Sequence, residues 1–170
     1  GGGETVESKS LLRQKKWYKA SKVKLKTQSV VHKIDRNDKT ITVNNGDVVK
    51  YDKLVIASGS VPKELPSSKG IGNAFVLRQP ADANAIRQAA NNADSVVIIG
   101  GGYIGLEVAA SLRKKGMEIT VIEAGERILA RVASKPLANY LNKLHQDNGV
   151  TVITNVGVEG INQESGIFAS

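Results

Sequence analysis

The run VVIIGGGYIGLE, Val96 to Glu107, constrains the fold more than any other part of this sequence. Glycine inside regular structure costs about 0.5–1 kcal/mol relative to alanine, so three in succession need a structural reason. Four β-branched residues lead in and a helical pattern leads out. A buried strand passing through a tight turn into a helix satisfies both. Gly100, Gly102 and Gly105 have the spacing G-x-G-x-x-G, with Gly101, Tyr103 and Ile104 at the intervening positions. In that setting Gly100 turns the chain, Gly102 leaves bare backbone for a phosphate to approach, and Gly105 lets the helix lie close on the strand. The helix start adds unpaired N–H groups and the positive end of the dipole.

The next strand-like run, ITVIE, ends at Glu123, 18 residues beyond Gly105. That is close to the ~20-residue spacing at which an acid meets the ribose hydroxyls of a bound dinucleotide. The same charge repels a 2′-phosphate, so NADH is expected in preference to NADPH. Arg127 and Arg131 follow at sequence distances that reach a phosphate, but Glu123 and Glu126 argue against a dedicated 2′-phosphate clamp. Glu107 is expected in about the first turn of the helix, where an acid complements the dipole.

Around these motifs the pattern is regular. Strand 95–99, helix 103–115, strand 118–122, helix 134–147 and strand 150–153 imply an α/β fold, a Rossmann-like parallel sheet with helices on both faces. A helix over 81–92 starts behind Pro80. Leu137, Tyr140, Leu141 and Leu144 fall at helical spacing, and the tail allows one more strand at 156–161. The upstream part reads differently. Runs 23–26, 29–35, 40–44 and 47–51 suggest an antiparallel β-meander, with Asn45-Gly46 as a two-residue hairpin. An apolar strand, Leu54 to Ala57, then enters Ser58-Gly59-Ser60. Ser8 is expected to cap a short basic helix reaching Lys19, with Leu11, Leu12 and Trp17 turned inward. A Pro- and Gly-containing linker covers 61–74. Two domains are therefore expected, 1–75 and 76–170.

Apolar residues make up 41% and charged residues 24%, the balance of a soluble globular protein. No apolar run approaches a membrane span and no membrane partner is expected. With no cysteine, a disulfide scaffold is excluded and a cytoplasmic setting fits. His32 and His145 are too far apart to suggest a metal cluster. The net charge of +8 is uneven: residues 1–50 hold twelve Lys/Arg against five Asp/Glu.

Beyond the glycine motif, the segments GGGYIGLEVAASL and ITVIEAGERILAR resemble the NADH-binding domain of the FAD-dependent pyridine nucleotide oxidoreductases. The run YDKLVIASGS resembles that family's Y-D-x-L-V-I-A-T-G motif, and VLRQPADANAI its L-R-T-x-x-D-A element. The nearest type resembles the ferredoxin, rubredoxin and monodehydroascorbate reductases and the apoptosis-inducing-factor-like proteins, over about residues 9–161. The resemblance implies two cofactors, FAD and NAD(H), with hydride passing from NADH to FAD. Electrons would then pass to a redox acceptor such as ferredoxin, rubredoxin or a small molecule. It places Tyr103 beside the nicotinamide path and Glu107 near the nicotinamide carboxamide. Val31 would hold the FAD adenine through its backbone, and Ala57, Ser58 and Gly59 would pass close to FAD, Ser58 standing where threonine is usual.

The family's own FAD glycine fingerprint, its segment for the FAD ribityl chain and its interface domain have no counterpart here. The 170 residues are thus expected to be an internal fragment, part of an FAD domain followed by part of an NADH domain, and inactive alone. Two other readings stay open. One is an apoptosis-inducing-factor-like binding module, using the basic stretch RQKKWYKASKVKLK to hold an acidic partner or nucleic acid. The other is a disulfide-reducing relative, because the redox cysteines of those enzymes lie in the missing FAD segment.

Overall fold

In the computed structural model, residues 12–161 and 168–169 are described. The chain forms two compact units, Gly1–Ser60 and Val61–Ser170. The division falls at 60/61, ahead of the connecting segment, and just after that segment Phe75 and Leu77 pack against the core of the second unit.

The first unit contains helix α1 (Lys15–Ala20) and an antiparallel sheet of β1 (Val31–Asp35), β2 (Thr40–Val43) and β3 (Val48–Lys50). The capping role of Ser8 and the position of Leu11 lie outside the described residues. Leu12 and Trp17 correct the expectation of an inward face. They are 89% and 44% exposed, α1 has no buried residue, and the Arg13 guanidinium lies over the Trp17 ring. The hairpin also differs. Val43 O accepts the Gly46 N–H, the Val43 N–H is donated to Asp47 O, and of the loop residues 44–46 only Gly46 has positive φ, +84°. This is a three-residue connection closed by a left-handed glycine, not a two-residue turn needing two such residues. Segments 23–26 and 54–57 are not strands. Val55 and Ile56 are 85% and 70% exposed, and among the described residues no strand pairs with them. An apolar run becomes a strand only where a sheet edge accepts its hydrogen bonds.

In the second unit, α2 (Pro80–Ala90) precedes β4 (Ser95–Ile99), α3 (Tyr103–Arg113), β5 (Glu118–Glu123), α4 (Lys135–Asp147) and β6 (Val150–Thr154), with β7 (Phe168–Ala169) last. The sheet order is β6-β5-β4-β7 and every pairing is parallel. The α/β class, the parallel sheet and the antiparallel meander are as expected. The strand expected at 156–161 is absent from that position. There the chain is held to the loop after β5 instead, Asn155 N–H donating to Gly125 O and Val156 N–H to Glu123 O.

Strand pleating sorts the core. Val96, Ile98, Ile119 and Val121 alternate inward and are at most 2% exposed, packed with Ile86 and Ala90 of α2 and Ala109 and Leu112 of α3. The residues that alternate with them, Val97, Ile99, Thr120 and Ile122, are only half-buried. A second cluster joins Leu106, Ile128, Leu129 and Ala138. No described helix is long and apolar enough to cross a membrane.

Candidate dinucleotide-binding site

The turn between β4 and α3 is built by backbone conformation that only glycine adopts cheaply. Gly100 has φ +110°, and its N–H is donated to Ile122 O on β5, so the chain leaves the sheet at the end of the ladder. Gly102 caps α3, with extended backbone. The first helical bond from this cap is Leu106 N–H to Gly102 O, which leaves the earlier amides directed out of the helix end. A β-carbon on Gly102 would meet nothing within 4 Å. Gly105 is buried on the inner side of α3.

Gly101, an intervening position of the motif, has no room for a side chain. A β-carbon there would lie 2.8 Å from Ile128 Cγ2 and 3.2 Å from Glu123 Oε2. Its N–H is donated to Glu123 Oε2 at 2.7 Å, and its carbonyl accepts the Leu129 N–H at 2.9 Å. The loop after β5 therefore clasps the glycine turn. Leu129 holds φ +53° while 97% of its surface is buried, a left-handed conformation that costs a non-glycine residue roughly 1 kcal/mol. Ile128, Leu129 and Gly125 join the site only through contacts that the sequence pattern does not show. The third consecutive glycine was the available signal that something packs against the turn.

A cavity of about 450 Å³ opens over this turn, lined by Gly100 through Gly105, Glu123, Leu129, Ala130, Arg131 and Val132. Gly100, Gly101, Gly102, Tyr103, Ile104, Gly105, Glu123 and Arg131 are thus brought together at the carboxyl end of the strands. Arg127 is not among them. Its Nη2 donates to Ala130 O and its Nη1 to Leu129 O, so its guanidinium braces its own loop. Arg131 is exposed at the cavity wall.

Glu107 occupies a different place. With Gly102 as cap, α3 has no acid in its first turn, which corrects the expected dipole role, since that effect fades within the first turn. Glu107 lines a groove of about 380 Å³ between α2 and α3, with Leu77, Ile86, Arg87 and Lys115. Ile104 lines both cavities. In the first unit, Val31 opens β1 just before a register shift against β2, and Ala57, Ser58 and Gly59 are exposed, Gly59 with φ +76°.

The family model for pyridine nucleotide-disulphide oxidoreductases matches residues 3–169. The chain is 40% identical over 151 residues to the probable ferredoxin reductase CtmF of Castellaniella defragrans, covering 88% of this chain and 37% of the relative. It is 36% identical to putidaredoxin reductase CamA of Pseudomonas putida, covering 94% and 38%. Among solved structures, the covalent putidaredoxin reductase–putidaredoxin complex superposes with a TM-score of 0.83 at 29% identity, over 98% of this chain and 46% of that one. NADH:rubredoxin oxidoreductase from Clostridium acetobutylicum gives 0.73 at 27%, over 94% and 43%. The chain spans less than half the length of each.

Proposed function

Because this chain belongs to the pyridine nucleotide-disulphide oxidoreductase family, we propose that the cavity over the glycine turn binds NADH, as part of a flavoprotein reductase. The observation that carries this reading is the bare backbone at Gly102, at the head of α3, in one cavity with the Glu123 carboxylate. Amides of residues 102–105 hold the pyrophosphate, Glu123 accepts hydrogen bonds from the adenosine ribose, and Arg131 adds a cation at the wall. Tyr103, about half exposed, stands beside the nicotinamide path, and Glu107 takes the carboxamide in the adjoining groove, which shares Ile104 with the cavity. On the flavin side, the backbone at Val31 meets the adenine, and Ala57, Ser58 and Gly59 approach the FAD. Bound NADH supplies a hydride that bound FAD accepts; the chain's own contribution is to bind and orient the two.

Relatives named as ferredoxin and putidaredoxin reductases support a small iron–sulfur protein as the electron acceptor. The exposed lysines of α1 favour an acidic one, since opposite charge accelerates encounter. The test is a pair of titrations at 0.1 M salt, following nicotinamide fluorescence. NADH should bind at least about tenfold more tightly than NADPH. Equal affinities would remove the role of Glu123, and binding of neither would remove the reading.

A further inference from the structure

We infer that Glu123 is a positioning residue as well as the ribose acid: it ties the β4–α3 turn to the loop after β5, and its fixed orientation sets the preference for a free 2′-hydroxyl. This rests on the nucleotide reading of the cavity. The two carboxylate oxygens accept main-chain N–H groups from two different turns, Oε2 from Gly101 and Oε1 from Gly125, each at 2.7 Å. Both are at the short end expected for charge-assisted bonds. Each oxygen keeps a second lone pair, so the ribose does not have to displace either amide.

A lone surface glutamate would swing aside for a 2′-phosphate at the cost of a side-chain rotation. Glu123 is half-buried and must break both bonds to move, leaving the N–H of buried Gly101 without its acceptor. Gly125 also leaves the space that the carboxylate occupies, because a β-carbon there would lie 3.0 Å from Oε1. Discrimination therefore comes from a charge that cannot retreat.

Gly125→Ala tests this directly. The added methyl displaces the far end of Glu123 while leaving its charge and every residue of the glycine turn in place. Titrations with NADH and NADPH would be run beside amide hydrogen exchange on the nucleotide-free protein, with Ala109 and Val121 as core controls. The NADPH-to-NADH ratio of Kd should fall about tenfold and the Gly101 amide should exchange about tenfold faster, the controls holding. An unchanged ratio with faster exchange would show that charge alone discriminates and would overturn the specificity claim. Should Gly125→Ala fail to fold, Glu123→Gln is the near-isosteric substitute, since its side-chain nitrogen only donates and one of the two main-chain N–H groups loses its acceptor. Unaltered exchange at both Gly101 and Gly125 in that variant would overturn the tie itself. Exchange is read without nucleotide, so failure of the cavity to bind either coenzyme stays distinguishable from failure of the tie.

Discussion

Gly101 and Ile128 are packed so closely that a β-carbon on the glycine would stand 2.8 Å from the isoleucine Cγ2. Ile128 is 1% exposed and cannot yield toward solvent. We expect Gly101→Ala to destabilise the fold by about 1–3 kcal/mol, the range for overpacking a filled core. Combined with Ile128→Ala, the loss should be smaller than the sum of the two single losses, because the second change removes the colliding methyl. Additive losses in urea unfolding would show that the contact is not the cause.

Arg113 links two turns at the amino end of the strands. Its Nε donates to Asn148 O and its Nη1 to Met117 O, both at 2.9 Å, with the guanidinium against Gly149. Arg113→Ala should cost about 1.5–3 kcal/mol, since two carbonyls lose a charged donor. Lysine at 113 should rescue only part of this, lacking the fork that reaches both carbonyls. Gly149→Ala should be destabilising as well, from φ +81° and from a β-carbon 2.7 Å from Nη2. Denaturant midpoints check all three.

Asp82 caps α2 by accepting the Gln79 and Arg78 N–H groups at 2.7 and 2.8 Å. These bonds, that from Gln79 foremost, hold its carboxyl below the ordinary aspartate range. A depressed folded pKa means stability that is present above the unfolded pKa of about 3.9 and is lost as pH falls through the folded value. The stability gap between the parent and Asp82→Ala should be constant above about pH 5 and close as the pH falls below 4. A gap that persists at pH 2 would contradict the charged cap.

The two arginines after β5 should separate by readout. Arg131→Ala is expected to weaken NADH binding about threefold and leave Tm unchanged, because Arg131 is exposed at the cavity wall. Arg127→Ala should lower Tm by a few degrees, since the bonds to Leu129 O and Ala130 O brace the loop that clasps Gly101. The reverse pattern, read by calorimetry and titration on both variants, would exchange their roles.

The basic face of α1 predicts a salt effect on electron delivery. If an acidic carrier docks there, its association rate should fall steeply between 0.05 and 0.2 M salt, with little change in dissociation. Stopped-flow mixing with an acidic ferredoxin measures both. A flat salt dependence would move the docking surface elsewhere.

Much of the second unit could be read from the chain itself. The strands at 95–99, 118–123 and 150–154 and the helices between them follow from hydrophobic period and glycine placement, and each boundary agrees within two residues. Period does not say which residues face inward. In α4 the expected stripe is largely outside: Leu137, Tyr140 and Leu144 are 45%, 64% and 43% exposed, and Ala138 is the buried residue. A small side chain sits where α4 approaches Leu106 and Ile128, and only the packing partner selects it. Segment 54–57 fails for the same reason, since composition supplies an apolar strand but not the neighbour to pair with.

By itself, then, the amino-acid order settles local matters: where backbone must bend, where a helix begins, and which acid lies at the spacing for a ribose. Bond geometry and side-chain period act over a few residues, so they are legible in one dimension. Tertiary structure alone decided that Ile128 and Leu129 clasp Gly101, that Arg127 turns into its own loop, and that Glu123 is tied through both oxygens. The contacts that Glu123, Ile128 and Leu129 make with Gly101 join residues about 22 to 28 positions apart, and they exist only once two strand ends are brought side by side in a parallel sheet.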